Sequence, residues 1–140
     1  MNPYKSKSQT YASQQYESMS PGRIVLALFD GVLVRIQRAV DALDNDDLPA
    51  RGEALQSALK IVAQLQASLN LDKGGEVGNA LYNLYTFVTH ELARANIQDD
   101  REGLCYCGSL IQEVRDGWAQ MLETQDFVEP KPPVKGSGYL

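Results

Sequence analysis

The chain has 140 residues, which fits one domain, and its apolar fraction is ordinary for a globular protein. Its formal net charge of −5 argues against a nucleic-acid partner or an anionic membrane surface, because either would require a basic patch. No apolar run reaches the roughly 18 residues of a membrane span, and residues 1–20 lack the apolar stretch of a signal peptide. We therefore expect a cytoplasmic protein that does not insert into a membrane.

The two ends of the chain differ in composition from the middle. Residues 1–19 are rich in serine, glutamine and tyrosine with little aliphatic content, which predicts a flexible N-terminal arm. Residues 125–140 contain several prolines and glycines, which predicts an extended, mobile tail. Residues 20–124 remain as the folded domain.

The first two helices are marked by their starts and stops. Ser20 is suited to the N-cap and Pro21 to the first helical position of the first helix, and the acidic run 44–47 ends it. The second helix begins near Asp47, and the glycine pair 74–75 breaks the chain after it.

The third and fourth helices follow the glycine pair. The third carries apolar residues from Val77 to Ala95, and Asn96 is suited to end it. The fourth opens with residues 99–102, a D-x-x-E pattern that resembles a capping box.

Apolar residues recur in all four segments at spacings of three and four, and no segment alternates with the period of two typical of a strand. Short connections between amphipathic helices place neighbours antiparallel. The sequence therefore predicts an all-α protein, an antiparallel up-and-down four-helix bundle.

These helices carry more apolar residues than one core stripe requires. The surplus either widens the core stripe or leaves an apolar groove for a partner. Gly31 lies inside the first helix, where glycine costs roughly 0.5–1 kcal/mol relative to alanine, and close approach of another helix would explain it. The surplus residues are Ile24, Leu26, Leu33, Val34, Ile61, Tyr82, Phe87, Leu110 and Leu122.

The two cysteines, Cys105 and Cys107, do not indicate a disulfide or a metal site. Positions two apart on a helix point about 200° away from each other, so these thiols cannot pair within one helix. The chain holds one histidine, which leaves a zinc site of thiolates and imidazoles poorly supplied. We interpret both cysteines as ordinary half-buried residues and expect no metal and no cofactor.

His90 is the basis of the one enzyme-like alternative. Phosphotransfer domains are four-helix bundles with one exposed histidine, and this chain resembles them in architecture. Those domains place lysine and glycine just after the histidine, whereas Glu91 and Leu92 follow it here. We expect no catalytic residue, and phosphotransfer through His90 stays as an alternative function.

Four motifs occur in order along the chain. They are SPGRIVLALFDGVL at 20–33, LNLDKGGEVGNALYNLYTFV at 69–88, LARANIQDD at 92–100, and the Trp-Ala pair at 118–119. Over roughly residues 2–124 this ordered set resembles the flagellar secretion chaperone family (FliS), the export chaperones for flagellin.

The resemblance implies a function without catalysis. Members of the family bind the C-terminal segment of newly made flagellin in the cytoplasm, and that disordered segment becomes largely helical on the chaperone. Binding prevents premature polymerisation and presents flagellin to the flagellar export gate at the membrane. The surplus apolar residues would then form the client groove, because wide apolar contact offsets an ordering cost of a few kcal/mol.

We expect a client-binding groove in the folded domain. We also expect Tyr4 and Tyr11 of the N-terminal arm to cover this groove when no client is bound. Leu81 and Tyr85 also fit the core stripe, so their assignment is divided between groove and core. A generic adaptor for some other amphipathic helix and a homodimer are both left open. The predicted groove residues are Ile61, Leu65, Leu81, Tyr82, Tyr85, Phe87 and Leu110.

Overall fold

The computed structural model describes residues 19–127, with side chains to residue 124. Residues 1–18, which include Tyr4 and Tyr11, and residues 128–140 lie outside the described part. Within residues 19–127 the chain forms helices and no strand. The helices are α1 (Pro21–Asp44), α2 (Leu48–Ala67), α3 (Leu71–Ile97) and α4 (Arg101–Phe127).

The helices form a ring in which each packs against its neighbours in sequence, and α4 closes the ring against α1. Trp118, late in α4, donates its indole N–H to the carbonyl of Gly22 at the start of α1, at 2.7 Å. At the other end, Arg101 at the start of α4 bonds Asp44 at the end of α1, at 2.8 Å. Both contacts require α1 and α4 to be antiparallel, which confirms the predicted bundle.

The core contains one stripe from each helix, as the spacing of apolar residues predicts. At its centre the ring of Phe29 lies 6.3 Å from that of Trp118 and 6.4 Å from that of Tyr85, measured between centroids. Aromatic pairs at this separation stabilise a core beyond the area they bury. The fully buried large side chains are Tyr85, Phe29, Leu65, Leu92, Leu104, Ile111, Val32, Val62, Val88 and Cys107.

The predicted helix start at Ser20 is confirmed, because its hydroxyl accepts the backbone N–H of Arg23 at 3.3 Å. The predicted capping box at residues 99–102 is wrong by one residue. Asp100 is the capping side chain, and its carboxylate accepts the N–H of Gly103 at 3.0 Å. Asp99 adopts a left-handed conformation instead, which ends the preceding helix.

The glycine pair interrupts α3 rather than preceding it. Gly75 has φ 55° and ψ −137°, a conformation that L side chains rarely adopt. One helical turn from Leu71 lies before it, so α3 begins earlier than the sequence predicts. At the other end of the chain, α4 continues to Phe127, past its predicted end at residue 124.

The two loops at the opposite end of the bundle share one backbone conformation. Asp46 in the α1–α2 loop has φ 54°, and Asp99 in the α3–α4 loop has φ 52°. The next residues, Asp47 and Asp100, return their N–H groups to carbonyls of the preceding helix at 2.8 Å and 2.9 Å. These are Schellman turns, in which glycine is the preferred left-handed residue.

The side chains of these two aspartates differ although their backbones match. The carboxylate of Asp99 accepts a hydrogen bond from Nη1 of Arg51 at 2.6 Å, and Arg51 is buried in α2. The carboxylate of Asp46 has no partner among the described residues. Asp46 and Asp99 therefore form a matched pair for measuring the Arg51 ion pair.

We predict opposite effects when glycine replaces each aspartate. Asp46→Gly relieves the left-handed strain and is neutral or stabilising by up to about 1 kcal/mol. Asp99→Gly relieves the same strain but leaves the buried Arg51 without its counterion, so it is less stable than Asp46→Gly by about 1–3 kcal/mol. Urea unfolding of both variants measures the difference, and equal free energies of unfolding would show that the ion pair contributes nothing.

Candidate functional site

Three of the seven predicted groove residues lie in the core rather than on a surface. Leu65, Leu81 and Tyr85 are exposed by 1%, 8% and 1%. Burial raises the pKa of the Tyr85 phenol well above its usual range. A client that binds this folded bundle does not reach these side chains, so we assign them to packing. The reason is that they belong to the same helical stripe as the residues that face the other three helices.

The other four predicted residues do not share one face. Ile61 packs towards α1, where a Cβ on Gly31 would lie 3.2 Å from its Cδ1. Gly31 therefore lets α2 approach α1 closely, as expected for a packing glycine. Tyr82 lies on the α2 side of α3, beside Gln66, whose amide donates to the Tyr82 carbonyl at 3.2 Å.

Phe87 and Leu110 lie on either side of the seam between α3 and α4. The ring of Phe87 meets that of Tyr106 edge-to-face, with centroids 6.1 Å apart and planes at 86°. Both rings remain about half exposed. Leu110 lies one turn after Tyr106 on the same side of α4 and is half-buried.

A strip of apolar residues runs along this seam. Successive helix positions turn by 100°, so Val77 and Leu84 lie on the Phe87 side of α3, and Met121 lies on the Tyr106 side of α4. These residues flank the buried stripes of their helices and are half-buried or exposed. We define the apolar strip by six residues: Val77, Leu84, Phe87, Tyr106, Leu110 and Met121.

The predicted groove did not include four of these six residues: Val77, Leu84, Tyr106 and Met121. On α4 the sequence did carry a signal for this surface. Tyr106, Leu110 and Met121 recur at spacings that keep them on one face of the helix, beside its core stripe.

The α3–α4 and α2–α3 seams are packed less extensively than the α1–α2 and α1–α4 seams. On α4, Gly117 is exposed, and a Cβ built on it would meet no atom within 4 Å. An exposed apolar strip is the kind of surface that the apolar face of an amphipathic helix binds.

An ion cluster lies at the end of the α3–α4 seam that adjoins the loop between these two helices. The guanidinium of Arg94 bonds the carboxylates of Glu91 and Asp100, the latter at 2.6 Å. This guanidinium holds the pKa of both carboxyls below their usual values, and the backbone N–H of Gly103 adds to the effect at Asp100. The charged cluster marks where the apolar strip ends.

The histidine and the two cysteines, which are the candidate reactive side chains, do not share one site. His90 is exposed on α3, Cys105 is exposed on α4, and Cys107 is buried in the core. Burial raises the pKa of the Cys107 thiol to about 12, so it is not a reactive thiolate. Residues 19–127 contain no cluster of histidine, cysteine or carboxylate side chains that could hold a metal ion. In the same residues, no helix is both long enough and apolar enough to span a membrane.

Comparisons with known proteins agree on one family. The family model described as flagellar protein FliS matches residues 4–125. The flagellar secretion chaperone FliS of Salmonella typhimurium is 30% identical over 128 residues, which cover 91% of this chain and 95% of that protein. The flagellar secretion chaperone FliSB of Pseudomonas aeruginosa is 29% identical over 118 residues, which cover 84% and 94%. A crystal structure of a bacterial flagellar chaperone matches 87% of this chain and 99% of its own, with a TM-score of 0.70 at 17% identity, and so shares the fold.

Two aromatic residues on α3 allow a comparison of a core side chain with a surface one, because Tyr85 is buried and Phe87 is exposed. We predict that Tyr85→Ala lowers the free energy of unfolding by about 3–5 kcal/mol, because it leaves a cavity in the core. Phe87→Ala lowers it by about 1 kcal/mol or less, because the ring is about half exposed. Urea unfolding followed by circular dichroism measures both, and comparable losses would mean that Phe87 is a packing residue too.

The Arg94 cluster predicts a pH dependence of stability. Because Glu91 and Asp100 have lowered pKa values in the folded state, the stability they contribute is present above their unfolded values of 4.5 and 3.8. It is lost as the pH falls through their lower folded values. Arg94→Met removes the main cause, so the variant should lose less stability than the parent between about pH 5 and pH 2. Parallel urea midpoints across that range would exclude this cluster as a source of acid sensitivity.

Proposed function

The chain belongs to the FliS family of flagellar secretion chaperones, and on that premise we propose that its client is the C-terminal segment of flagellin. The observation that supports the proposal is the apolar strip along the α3–α4 seam. Contiguous exposed apolar surface on a folded domain marks a site for a partner. An export chaperone requires such a surface, because it must bind a segment that is otherwise free to assemble.

The dimensions of the strip suit one client helix. Tyr106 and Met121 lie 15 positions apart on α4, which corresponds to about 22 Å at 1.5 Å per residue. A client helix of about four turns lying in the seam would therefore contact the whole strip with one apolar face. The Phe87–Tyr106 pair is the expected anchor, since aromatic side chains dominate the energetics of such interfaces.

Coupled folding explains why the strip must be apolar and long. A segment that is disordered when free loses conformational entropy as it becomes helical, and this ordering costs a few kcal/mol. Buried apolar area contributes roughly 25 cal/mol per Å² and offsets that cost. In this proposal the bound client cannot polymerise, and the complex is delivered from the cytoplasm to the flagellar export gate.

Tyr4 and Tyr11 would cover part of the strip when no client is bound, and a homodimer through the same strip would compete with client binding. Phosphotransfer through His90 is the less favoured function, because the family is one of chaperones and not of enzymes. A generic adaptor would share the strip but not the client.

We predict that the full-length protein binds a C-terminal fragment of its own organism's flagellin with a large negative heat-capacity change. Tyr106→Ala should weaken that binding by about tenfold or more, since it removes half of the aromatic anchor. Titration calorimetry at several temperatures measures both quantities.

Two matched substitutions serve as controls. Tyr82→Ala removes a tyrosine of similar exposure, 42% against 53% for Tyr106, on the α2 side of α3. Val34→Ala pairs with Val77→Ala as exposed valines off and on the strip. Tyr82→Ala and Val34→Ala should change the affinity less than about twofold. If Tyr82→Ala weakens binding as much as Tyr106→Ala, the client does not lie in the α3–α4 seam. If the folded protein does not bind the fragment, flagellin is not its client.

A further inference from the structure

The chain continues after α4 with the segment VEPKPPVKGSGYL, residues 128–140, which we call the C-terminal tail. Three of its first six residues are proline, and it carries two lysines and one glutamate. A proline-rich segment favours the polyproline II conformation, because each proline ring fixes φ near the value that this conformation requires. Domains that bind such segments do so through grooves lined by aromatic side chains. The exposed aromatic side chains of the apolar strip are therefore a candidate site for the tail.

The tail leaves the bundle beside the apolar strip. α4 ends at Phe127, six positions after Met121, which is the last strip residue on that helix. Because α4 itself forms one side of the strip, the tail can turn back along it without crossing another helix. The N-terminal arm begins at α1, which packs on the other flank of α4. To reach the strip, the arm has to cross the outer face of α4.

The tail is long enough to cover the strip on α4. Phe127 and Tyr106 lie 21 positions apart, which corresponds to about 31 Å along the helix axis. If the first two tail residues reverse the chain direction, residues 130–140 extend over about 34 Å in polyproline II, at 3.1 Å per residue. Tyr139 then lies within about one helical turn of the level of Tyr106.

The charges of the tail complement those beside the strip. Glu113 lies three positions after Leu110 and four before Gly117, so it shares their side of α4. Glu76 on α3 directly precedes Val77 of the strip. Both carboxylates are exposed, and neither has an ion-pair partner among the described residues. A segment that carries lysines therefore suits this surface better than an acidic one.

We propose that the C-terminal tail docks along the apolar strip when no client is bound. It runs antiparallel to α4 in a polyproline II conformation. The rings of Pro132 and Pro133 pack against Met121 and into the space beside Gly117. The inference rests on the proposed function in one respect: the tail competes with the client only if the client binds this strip.

Two further contacts fix the register of the docked tail. The ammonium group of Lys135 pairs with the carboxylate of Glu113. The ring of Tyr139 packs against the exposed Phe87–Tyr106 pair. An exposed ion pair contributes little free energy, whereas aromatic rings bury a large area and gain further from their mutual geometry. The aromatic contact therefore supplies most of the docking free energy, and the ion pair selects the register.

A second copy of the chain is a less suitable occupant of the strip. It would bring the same two carboxylates, Glu76 and Glu113, and like charges that face each other across an interface are unfavourable. The tail is also tethered to α4, so its effective concentration at the strip does not fall when the protein is diluted. Docking of the tail is therefore independent of protein concentration, whereas dimerisation is not.

NMR spectra of the full-length ¹⁵N-labelled protein test the docking. We expect nuclear Overhauser contacts between the ring of Tyr139 and the rings of Phe87 and Tyr106. Tyr139→Ser should remove these contacts and shift the backbone amides of the strip residues, while the amides of α2 stay unchanged. Tyr11→Ser is the matched control, because it removes a tyrosine from the other end of the chain and should leave the Tyr139 contacts in place.

Exchange of charges tests the register. Glu113→Lys and Lys135→Glu should each lower the docking equilibrium constant about two- to fivefold, and the double variant should restore it. Glu123→Lys is the control, since Glu123 lies ten positions after Glu113 and about 80° further from α3 around the helix. The displacement of the strip amides from their positions in Tyr139→Ser measures the docked fraction.

Contacts of Tyr139 that persist on dilution, together with rescue in the double charge variant, support the proposal. Four results would overturn it: strip amides that do not move in Tyr139→Ser, strip amides that respond to Tyr11→Ser alone, contacts that disappear on dilution, or no rescue in the double variant. The second of these results would identify the N-terminal arm as the occupant, and the third would identify a second copy of the chain.

Titration calorimetry separates this inference from the proposed function. If the tail and the client share the strip, Tyr139→Ser should bind the flagellin fragment about two- to tenfold more tightly, because the tail no longer competes. Tail contacts without any binding of the fragment would refute flagellin as the client and leave the docking intact. Fragment binding by a protein that lacks the tail contacts would refute the docking alone.

Discussion

The aromatic contact of Phe29 with Tyr85 and Trp118 is the interaction on which the rest of the structure depends. Phe29 belongs to α1, Tyr85 to α3 and Trp118 to α4, so one ring joins three helices. Tyr85 brings α3 to α1 across the bundle, although these two helices are not neighbours in the ring. Burial of these rings determines which stripe of α3 and of α4 faces inward.

Once those stripes face inward, the second apolar stripes of α3 and α4 must face outward. A helix in a four-membered ring presents one side to the core and a flank to each neighbour, and the α3–α4 flanks meet less extensively than those of α1 with α2 or α4. Phe87 and Tyr106 contact each other there without becoming buried. The apolar strip is thus a consequence of the packing, and the proposed client would bind there without rearrangement of the core.

The α1–α2 and α3–α4 loops follow from a different constraint, the requirement for tight turns between antiparallel helices. Each turn places an aspartate where glycine would be less strained. In one turn the aspartate reaches across the bundle to Arg51. In the other turn the aspartate has no such partner among the described residues, so the two turns share a backbone conformation but differ in the ion pair.

The sequence by itself determined the class of fold, the number of helices in the domain and most of their ends. These depend on local physics: Ser20 caps the next turn, and apolar residues at spacings of three and four define a face. The four ordered motifs also indicated the family. Local patterns could not determine which of two apolar faces is buried, because that depends on which neighbour covers each face.

Tertiary structure therefore decided the candidate site. It placed Leu65, Leu81 and Tyr85 in the core and set Ile61 against Gly31. It also brought Phe87 to Tyr106 and joined Arg51 to Asp99, pairs that are far apart in sequence and meet only after the helices pack. The physical reason is that helical periodicity specifies an angle around one axis, whereas a binding surface is defined by the angles and separations of several axes at once.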